Sequence, residues 1–567
     1  MPDPYLLTTE PWLPVWDLDT NDTNHHVGIH EALVRAHRLV LPVLRAEDVA
    51  ALRLLAAVYD AAAAPRDAAE WDAAWRADTL DTDAVAAYLD RWRDRFDLFH
   101  PTHPALQSAA LTEYARGPEA LHPGSLGGDS AAWFNHALYD PLPPYPADEA
   151  ARLLLHLLTY DVAGIKRAAP GDPAAKGGKV YGSKLGPVAS ATHCHLTGRT
   201  LKDTLLLNLP PVPRAPGDSP VWERDTPPAP TRSRTPAGRL DLLTWPSRRL
   251  RLHATDTGTV DAVAHHDGDR MADTWQQTSR LDPMTAWSTD KGADKPTPFQ
   301  FLNLHDWPQP WRAAALLDGT REHSAVIQHV TAAAQRGTLD PALSLRGVLS
   351  TAVHTNRHQS SISDIPVASV ELGSAGQLAD PAARERLAAM ARYAGAIGRN
   401  LRLHAVKISG RSSAQVAPRM MLTDLDTAWR EAVALHSSAP HDARALWADA
   451  VHEAAERCID AFPLRPLEAA KLRSAYRTNP EPQPKPRAVK PRAPKAAGRR
   501  PAGAGQRGPA VPVYEVLGGR YTLSQLSRHP DCVVSYPTLR KRVDDGWDVA
   551  EAATTPGSRG ARGGSQQ

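Results

Sequence analysis

The stretch from Asn479 to Pro512 limits what this chain can become more than any other. It carries eight cations (Lys485, Arg487, Lys490, Arg492, Lys495, Arg499, Arg500 and Arg507) against one Glu481, and Pro, Ala and Gly interrupt it throughout. Apolar residues recur there with neither helical nor strand period. The stretch therefore has nothing to bury and is expected to be a disordered or polyproline-like linker. A chain of 567 residues is thereby divided. Residues 1–477 must build their own cores, 513–557 must fold as a small separate module, and 558–567 form a disordered tail. Net charge is +2 for the whole chain, so outside the linker the balance is slightly acidic. Local rather than global charge then says what partners to expect.

An apolar content of 42% allows sizeable cores, and 51 prolines fit helices punctuated by long loops. The three cysteines, Cys194, Cys458 and Cys532, are far apart and odd in number, which argues against a disulfide framework and for a reducing compartment. The first residues lack a basic region followed by an apolar run, so no signal peptide is expected. No run approaches the ~18 uninterrupted apolar residues of a membrane span. The expected location is cytoplasmic, with no membrane partner.

Two prolines in Glu10–Trp16 point to an extended edge strand. Helical spacing is expected around 28–39, at 46–63, in two pieces of 67–95 divided near 79–83, at 147–164 and at 199–208. Long loops are expected at 113–132 and from Lys166 to Pro187, and a Pro/Thr-rich excursion at 210–240. Alternation predicts short strands at 240–245, 249–253 and 259–263, and a hairpin or turn follows at 282–292. A helix over 311–334 precedes a strand–polar loop–strand unit over 342–372. From Asp380 the pattern becomes helical, at 383–398, 422–435, 442–462 and 467–477, as in a four-helix-type bundle. The fold class is α+β: a mixed domain over 1–372, a helical bundle over 373–477, the basic linker over 478–512, and the small module.

Enzyme signatures are weak. His193-Cys194-His195 and His265-His266-Asp267 could suggest metal ligands, but zinc sites need paired ligand spacings and no second pair exists. A metal-dependent nuclease using His265, His266 and Asp267 is a distant alternative. His452-Glu453 lacks the second histidine of a zinc protease, and neither a Walker loop nor a nucleophile elbow is present. No catalytic residue, metal or cofactor is expected. The loop at Lys176-Gly177-Gly178-Lys179 is more informative. Its glycines allow close backbone approach and its lysines attract phosphate, although a bare basic surface loop has the same composition.

The C-terminal segment reads as helix-turn-helix. Thr522 or Ser524 caps a short helix, His529–Ser535 turns, and Tyr536–Val543 forms a second helix with Pro537 in its first turn. Thr538, Arg540, Lys541 and Arg542 lie on the recognition position, so this tail is a candidate DNA-binding surface; a helical cap or protein-docking module is the plainer alternative. The segment resembles the small modules that accompany homing-type endonucleases.

Several landmarks follow in order: Glu10-Pro-Trp-Leu-Pro-Val, Val27-Gly-Ile-His-Glu-Ala-Leu, Phe96-Asp-Leu-Phe-His-Pro-Thr-His-Pro, Arg199-Thr-Leu-Lys-Asp-Thr-Leu-Leu-Leu-Asn208, Asp282-Pro-Met-Thr-Ala-Trp and Arg357-His-Gln-Ser-Ser-Ile. Over 1–477 this order resembles the large subunit of the type I-E CRISPR Cascade surveillance complex. The resemblance implies a non-enzymatic subunit that sits at the crRNA 5′ end beside the backbone and small subunits. It would read the PAM of double-stranded target DNA from the minor groove, wedge the duplex open, meet the non-target strand and help recruit the helicase–nuclease. Gln359 matches the family's wedge glutamine, flanked by His358 and Ser360 where the family can carry asparagine and alanine. Gly177 and Gly178 match its glycine loop. The lysine with which the family contacts the PAM should fall near 262–272, where His265, His266 and Arg270 stand and no lysine does. The cysteine cluster that holds zinc in some members is missing, with no cysteine between Cys194 and Cys458. The alternative is a stand-alone helix-turn-helix DNA-binding regulator whose specificity lies in the tail.

Overall fold

Proline excludes helix near the start of the chain, and the extended run there becomes strand β1 (Leu13–Asp17), which pairs antiparallel with β2 (Asp22–Val27) and β3 (Leu39–Val40). The computed structural model describes residues 2–121, 143–272, 281–288, 297–298, 310–320, 322–355, 362–409, 425–461, 464–477, 514–517, 519–545 and 547–555. Contacts divide the chain into two units, Met1–Pro484 and Lys485–Gln567.

The first unit's early helices begin where side chains satisfy their free N–H groups. Asp48 accepts from the backbone N–H of Leu44 and Arg45 (3.0 and 2.8 Å) at the head of Ala46–Ala62, a helix buried on most sides. Asp67 and Asp81 cap Ala68–Arg76 and Thr82–Arg91, so the expected division of 67–95 is present. Thr200 caps Leu201–Asn208 in the same way. The helix expected around 28–39 is shorter, Ile29–Val34, because Leu39 and Val40 leave it to pair with Trp16 and Asp17.

After the helix Ala147–Tyr160 come β4 (Gly164–Arg167), β5 (Lys179–Ser183), β6 (His193–Thr197), β7 (Arg248–Ala254) and β8 (Val260–Asp267). Four of them make a sheet in the order β5-β4-β8-β7. The long loop expected from Lys166 to Pro187 is present over 168–178 and 184–187, but its two ends pair as β4 and β5 on the sheet's edge. The strand expected at 240–245 is instead the helix Arg239–Leu243. Its start is made by a distant residue: the Asp218 carboxylate, 5% exposed, accepts from the N–H of Leu240 (3.0 Å) and Asp241 (2.9 Å). Gly238 leaves room for that carboxylate, since a Cβ there would lie 2.3 Å from its carbon. Asp218→Ala is expected to cost about 1–2 kcal/mol, the usual worth of a buried cap, read as a lowered urea midpoint at an unchanged m-value.

The helix expected over 311–334 is interrupted. A 3₁₀ turn at Pro310–Leu316 gives way to a strand at Glu322–Ser324 and then to the helix Ala325–Gln335, capped by Ser324. Strands β9 (Ala286–Ser288), β10 (Thr297–Pro298) and β11 (Glu322–Ser324) form a small sheet, and pairing with β9 takes 322–324 out of the helix. The turn before it is fixed by Asp318, which accepts from Thr320 N–H (3.0 Å) and pairs with Arg392 (2.6 Å).

Strands β12 (Ser344–Ser350), β13 (His354–Thr355), β14 (Ile362–Asp364) and β15 (Val367–Ser374) follow the expected strand–loop–strand course. β12 pairs with both β15 and β6. Helices Pro381–Ser409, Leu425–His436, Pro440–Ala461 and Pro466–Arg477 complete the unit. They share one apolar core with the strands. At its centre the Trp447 ring packs edge-on against Trp311 (5.5 Å between centroids) and Trp429 (5.1 Å), and all three indoles are at most 1% exposed. The Trp429 and Trp447 N–H groups each donate at 2.8 Å, to the carbonyls of Glu371 and Met390, which ties the helices to β15 and to one another.

The second unit pairs β16 (Tyr514–Val516) with β17 (Gly519–Tyr521) and follows them with short helices at Leu523–Leu526, Tyr536–Asp544 and Val549–Thr554. Thr522 and Gln525 form a reciprocal capping box at the first helix. Val516, Leu526, Leu539, Ala552 and Ala553 are its buried core. Among the described residues, no helix is long and apolar enough to cross a membrane.

Candidate nucleic-acid interface

The connection from β4 to β5 runs over residues 168–178 and ends in a two-residue reversal that leads into β5. Lys176 and Lys179 exchange backbone hydrogen bonds (2.8 and 3.2 Å), and Gly177 and Gly178 between them have φ of +56° and +72°. Positive φ at both central positions is the type I′ geometry that suits the twist of a hairpin, and glycine adopts it without strain. A Cβ on either glycine would meet nothing within 4 Å. The tip is thus bare backbone in open space, flanked by the exposed side chains of Lys176 and Lys179. The structure brings these four predicted residues together as one feature.

Beneath the hairpin lies a buried ionic frame. Asp161, just past the helix Ala147–Tyr160, accepts from Lys166 of β4 (2.6 Å), from Arg248 of β7 and from His265 of β8 (3.0 Å). Burial by itself would raise this carboxyl, but the two cations and the imidazole outweigh it and hold it well below the carboxylate range. Burial pushes His265 down to about 4, and burial likewise lowers Lys166. Asp267 is held by Ser183 (2.6 Å), Arg232 and Arg270 (3.0 Å), and Asp269 by Arg234 (2.8 Å) and Arg249 (2.7 Å). Arg270 also donates to the Tyr181 carbonyl of β5 at 3.3 Å, so the 262–272 region meets the hairpin through arginine.

These contacts account for the histidine pairs. His265 points at Asp161, and His266 Nδ1 lies 2.9 Å from the Ala168 carbonyl, so they and Asp267 are occupied in separate contacts. On β6, His193 and His195 share one face and stack at 6.2 Å, with His193 3.4 Å from Asp282. Asp282 in turn pairs with buried Arg53 at 2.8 Å. Cys194 is fully buried, which pushes its thiol up to about 12. Among the described residues no group of three or more His, Cys, Asp or Glu converges as metal ligands.

Gln359, His358 and Ser360 lie outside the described residues. The flanking strands are paired, His354 opposite Asp364 and Thr355 opposite Ile362, so a short antiparallel ladder brings the two ends of that segment together. In the second unit Thr538, Arg540 and Lys541 are exposed on the helix Tyr536–Asp544. Arg540 and Lys541 sit 3.8 and 3.7 Å from Asp544 and Asp545, exposed pairs of small energetic weight. Arg542 turns inward, donating to the carbonyls of Ala552 (3.0 Å) and Thr555 (2.5 Å) with its guanidinium 4.9 Å from the Trp547 ring centroid. It braces the module, unlike its two neighbours.

The ionic frame goes unnoticed when the chain is read in order. Its only signal there is the density of Arg and Asp in Arg248-Arg249 and Asp267-Gly-Asp269-Arg270, two strand ends that the β7–β8 register sets opposite each other, Arg248 facing Asp267.

The model of CRISPR-associated protein Cse1 matches residues 7–458. The CRISPR-associated protein CasA/Cse1 of Thermus thermophilus is 36% identical over 266 residues, 44% of this chain and 49% of that relative's length, so the match spans about half of it. The crystal structure of Thermobifida fusca Cse1 superposes with a TM-score of 0.68 at 26% identity, covering 84% of this chain and 97% of that one. A chain of a solved CRISPR RNA-guided surveillance complex shares the fold, with a TM-score of 0.66 at 21% identity, over 84% of this chain and 99% of its own. With the match running from before the first strand into the helix Pro440–Ala461, this chain belongs to the CRISPR-associated Cse1 family.

Proposed function

We propose that this chain is the non-catalytic, DNA-binding large subunit of a type I-E CRISPR Cascade complex. It recognises the PAM in duplex DNA, wedges the duplex open to begin R-loop formation, and helps recruit the helicase–nuclease. Its partners are the backbone and small subunits, the crRNA 5′ end, the target duplex with its displaced strand, and that nuclease. The observation that carries this reading is the family match over 7–458. The fold shared with a chain of an RNA-guided surveillance complex is in keeping with it.

Local chemistry supports the assignment of roles. The minor groove offers a degenerate pattern of acceptors, which a bare backbone tip flanked by lysines can approach and read loosely. Gly177 and Gly178 with Lys176 and Lys179 make such a tip. Gln359, with His358 and Ser360 beside it, is assigned as the wedge: a glutamine is long, uncharged and able to hydrogen-bond freed base edges. Pairing with the guide nearly balances the loss of the DNA duplex, so a modest wedge contribution decides whether opening starts.

In the assembled complex, Gln359→Ala is expected to slow R-loop formation on PAM-bearing duplex about tenfold or more, since unstacking a step costs a few kcal/mol. Stopped-flow fluorescence of a base analogue beside the PAM reads this directly, and an unchanged rate would sink the wedge role. The second unit is assigned as a helix-turn-helix module that, with the basic linker and exposed Thr538, Arg540 and Lys541, adds duplex affinity. Truncation after Tyr476 should weaken duplex binding and flatten its dependence on salt, by about 0.9 in slope for each phosphate the tail had neutralised. A slope identical to that of the full chain excludes the tail from DNA.

A further inference from the structure

The β4–β5 hairpin has an outer face as well as a tip. Paired strands present alternate residues to opposite sides. On the inner side Lys166 turns to Asp161, Val180 is buried and Ser183 binds Asp267. On the outer side stand Ile165 (60% exposed), Tyr181 (56% exposed), Arg167 and Lys179. The register shows why the tyrosine stands out: Gly164 pairs with Ser183 and Lys166 with Val180, so Tyr181 and Gly182 both face the single Ile165. Such a bulge re-aims a side chain on an edge strand.

Exposed apolar side chains on an edge strand invite unwanted pairing, and charges there can serve merely to blunt it. That account explains Arg167 and Lys179. It leaves an aromatic ring facing an isoleucine on the open side of this strand pair, next to the proposed DNA-reading tip. A protein-docking patch tends to lack lysine at its centre. An aromatic ring flanked by cations is the arrangement that holds single-stranded nucleic acid, with bases stacked on the ring and phosphates on the cations.

We propose that the outer face of this hairpin is a stacking platform for single-stranded DNA, on which the Tyr181 ring receives one unpaired base while Arg167 and Lys179 meet the neighbouring phosphates. This rests on the assignment of the chain as a duplex-opening subunit, which supplies the unpaired strand. Arg167 lies 3.1 Å from exposed Glu113, an ion pair that a phosphate would replace on binding.

The test uses the full-length chain and a short thymidine-rich oligonucleotide carrying one 2-aminopurine. Tyr181→Ala is expected to weaken binding roughly 5- to 100-fold and to abolish quenching of the probe, while Tyr181→Phe retains both, because the ring rather than the hydroxyl stacks. Equal losses in the two variants, or none in either, overturn the platform. So does a loss confined to an oligoribonucleotide, or a Tyr181→Ala defect that appears only as failure to assemble with the other subunits. The underlying reading is separable. If Gln359→Ala slows duplex opening in the complex but Tyr181→Ala leaves oligonucleotide binding intact, the platform fails and the subunit role stands. If the complex opens no PAM-bearing duplex yet Tyr181→Ala loses oligonucleotide binding, the role fails and the platform stands.

Discussion

Replacing Asp161 with alanine is expected to destabilise the first unit by about 3–5 kcal/mol, the cost of leaving buried cations without their counter-ion. Lys166 is 8% exposed and Arg248 2% exposed at their side chains, and both close on this one carboxylate. Urea unfolding at neutral pH measures the loss. A change below about 1 kcal/mol would show that Asp161 does not carry the network. Lys166 stands in the same hairpin as the glycine tip, so the variant should also lose the tip's fixed placement, seen as faster amide exchange of β5 than of β1. The pH dependence has a definite sign. His265 is held neutral down to about 4, whereas its unfolded form takes up a proton near 6.5; the unfolded state therefore binds more protons between these values, and stability falls as pH drops through that window. Asp161 contributes stability that is present above its unfolded value of about 3.8 and is lost as pH falls below it. In Asp161→Ala the lower of these two losses should vanish.

Trp447→Ala should cost about 3–5 kcal/mol as well, by a different route: a large cavity opens where three indoles meet. Its N–H bond to the Met390 carbonyl goes too. Because Trp311 precedes the strands β11–β15 and Trp429 and Trp447 lie on the later helices, the cavity sits across both. Thermal unfolding of the variant, followed at once by near-UV and far-UV circular dichroism, should show one transition moved downward. If the helices alone melted early while strand signals stayed at their original temperature, the shared core would be refuted. Trp447→Phe keeps most of the volume and should lose well under half as much.

These two sites also show what the sequence could and could not disclose. Helices such as Ala46–Ala62 and Ala147–Tyr160 are legible in the sequence because long runs rich in Ala and Leu carry no proline and fall at helical spacing. The segment Leu240–Leu243 alternates like a strand and is a helix, since the group that starts it, Asp218, lies over twenty residues upstream. The run from Lys166 to Pro187 reads as loop by composition and mostly is one; only the pairing of Lys166 with Val180 and of Arg167 with Lys179 shows that its ends belong to a sheet. Lys176 and Lys179 are legible as exposed cations because charge and glycine are adjacent in the chain. The Asp161 frame is not, because its members come from four separate segments that only the fold assembles.

An added Cβ at Gly177 or Gly178 would meet nothing within 4 Å, so a side chain placed there would disturb no neighbour and would bear only the cost of a left-handed backbone, about 1–2 kcal/mol per residue and less for asparagine or aspartate. Hydrogen-bonding groups can therefore be added at, or removed from, this tip without repacking the sheet beneath. Under the proposed reading of the tip, a lineage meeting a different short DNA sequence can change its preference at these two positions by single steps, each of them survivable, while the ionic frame holds the strands beneath in place.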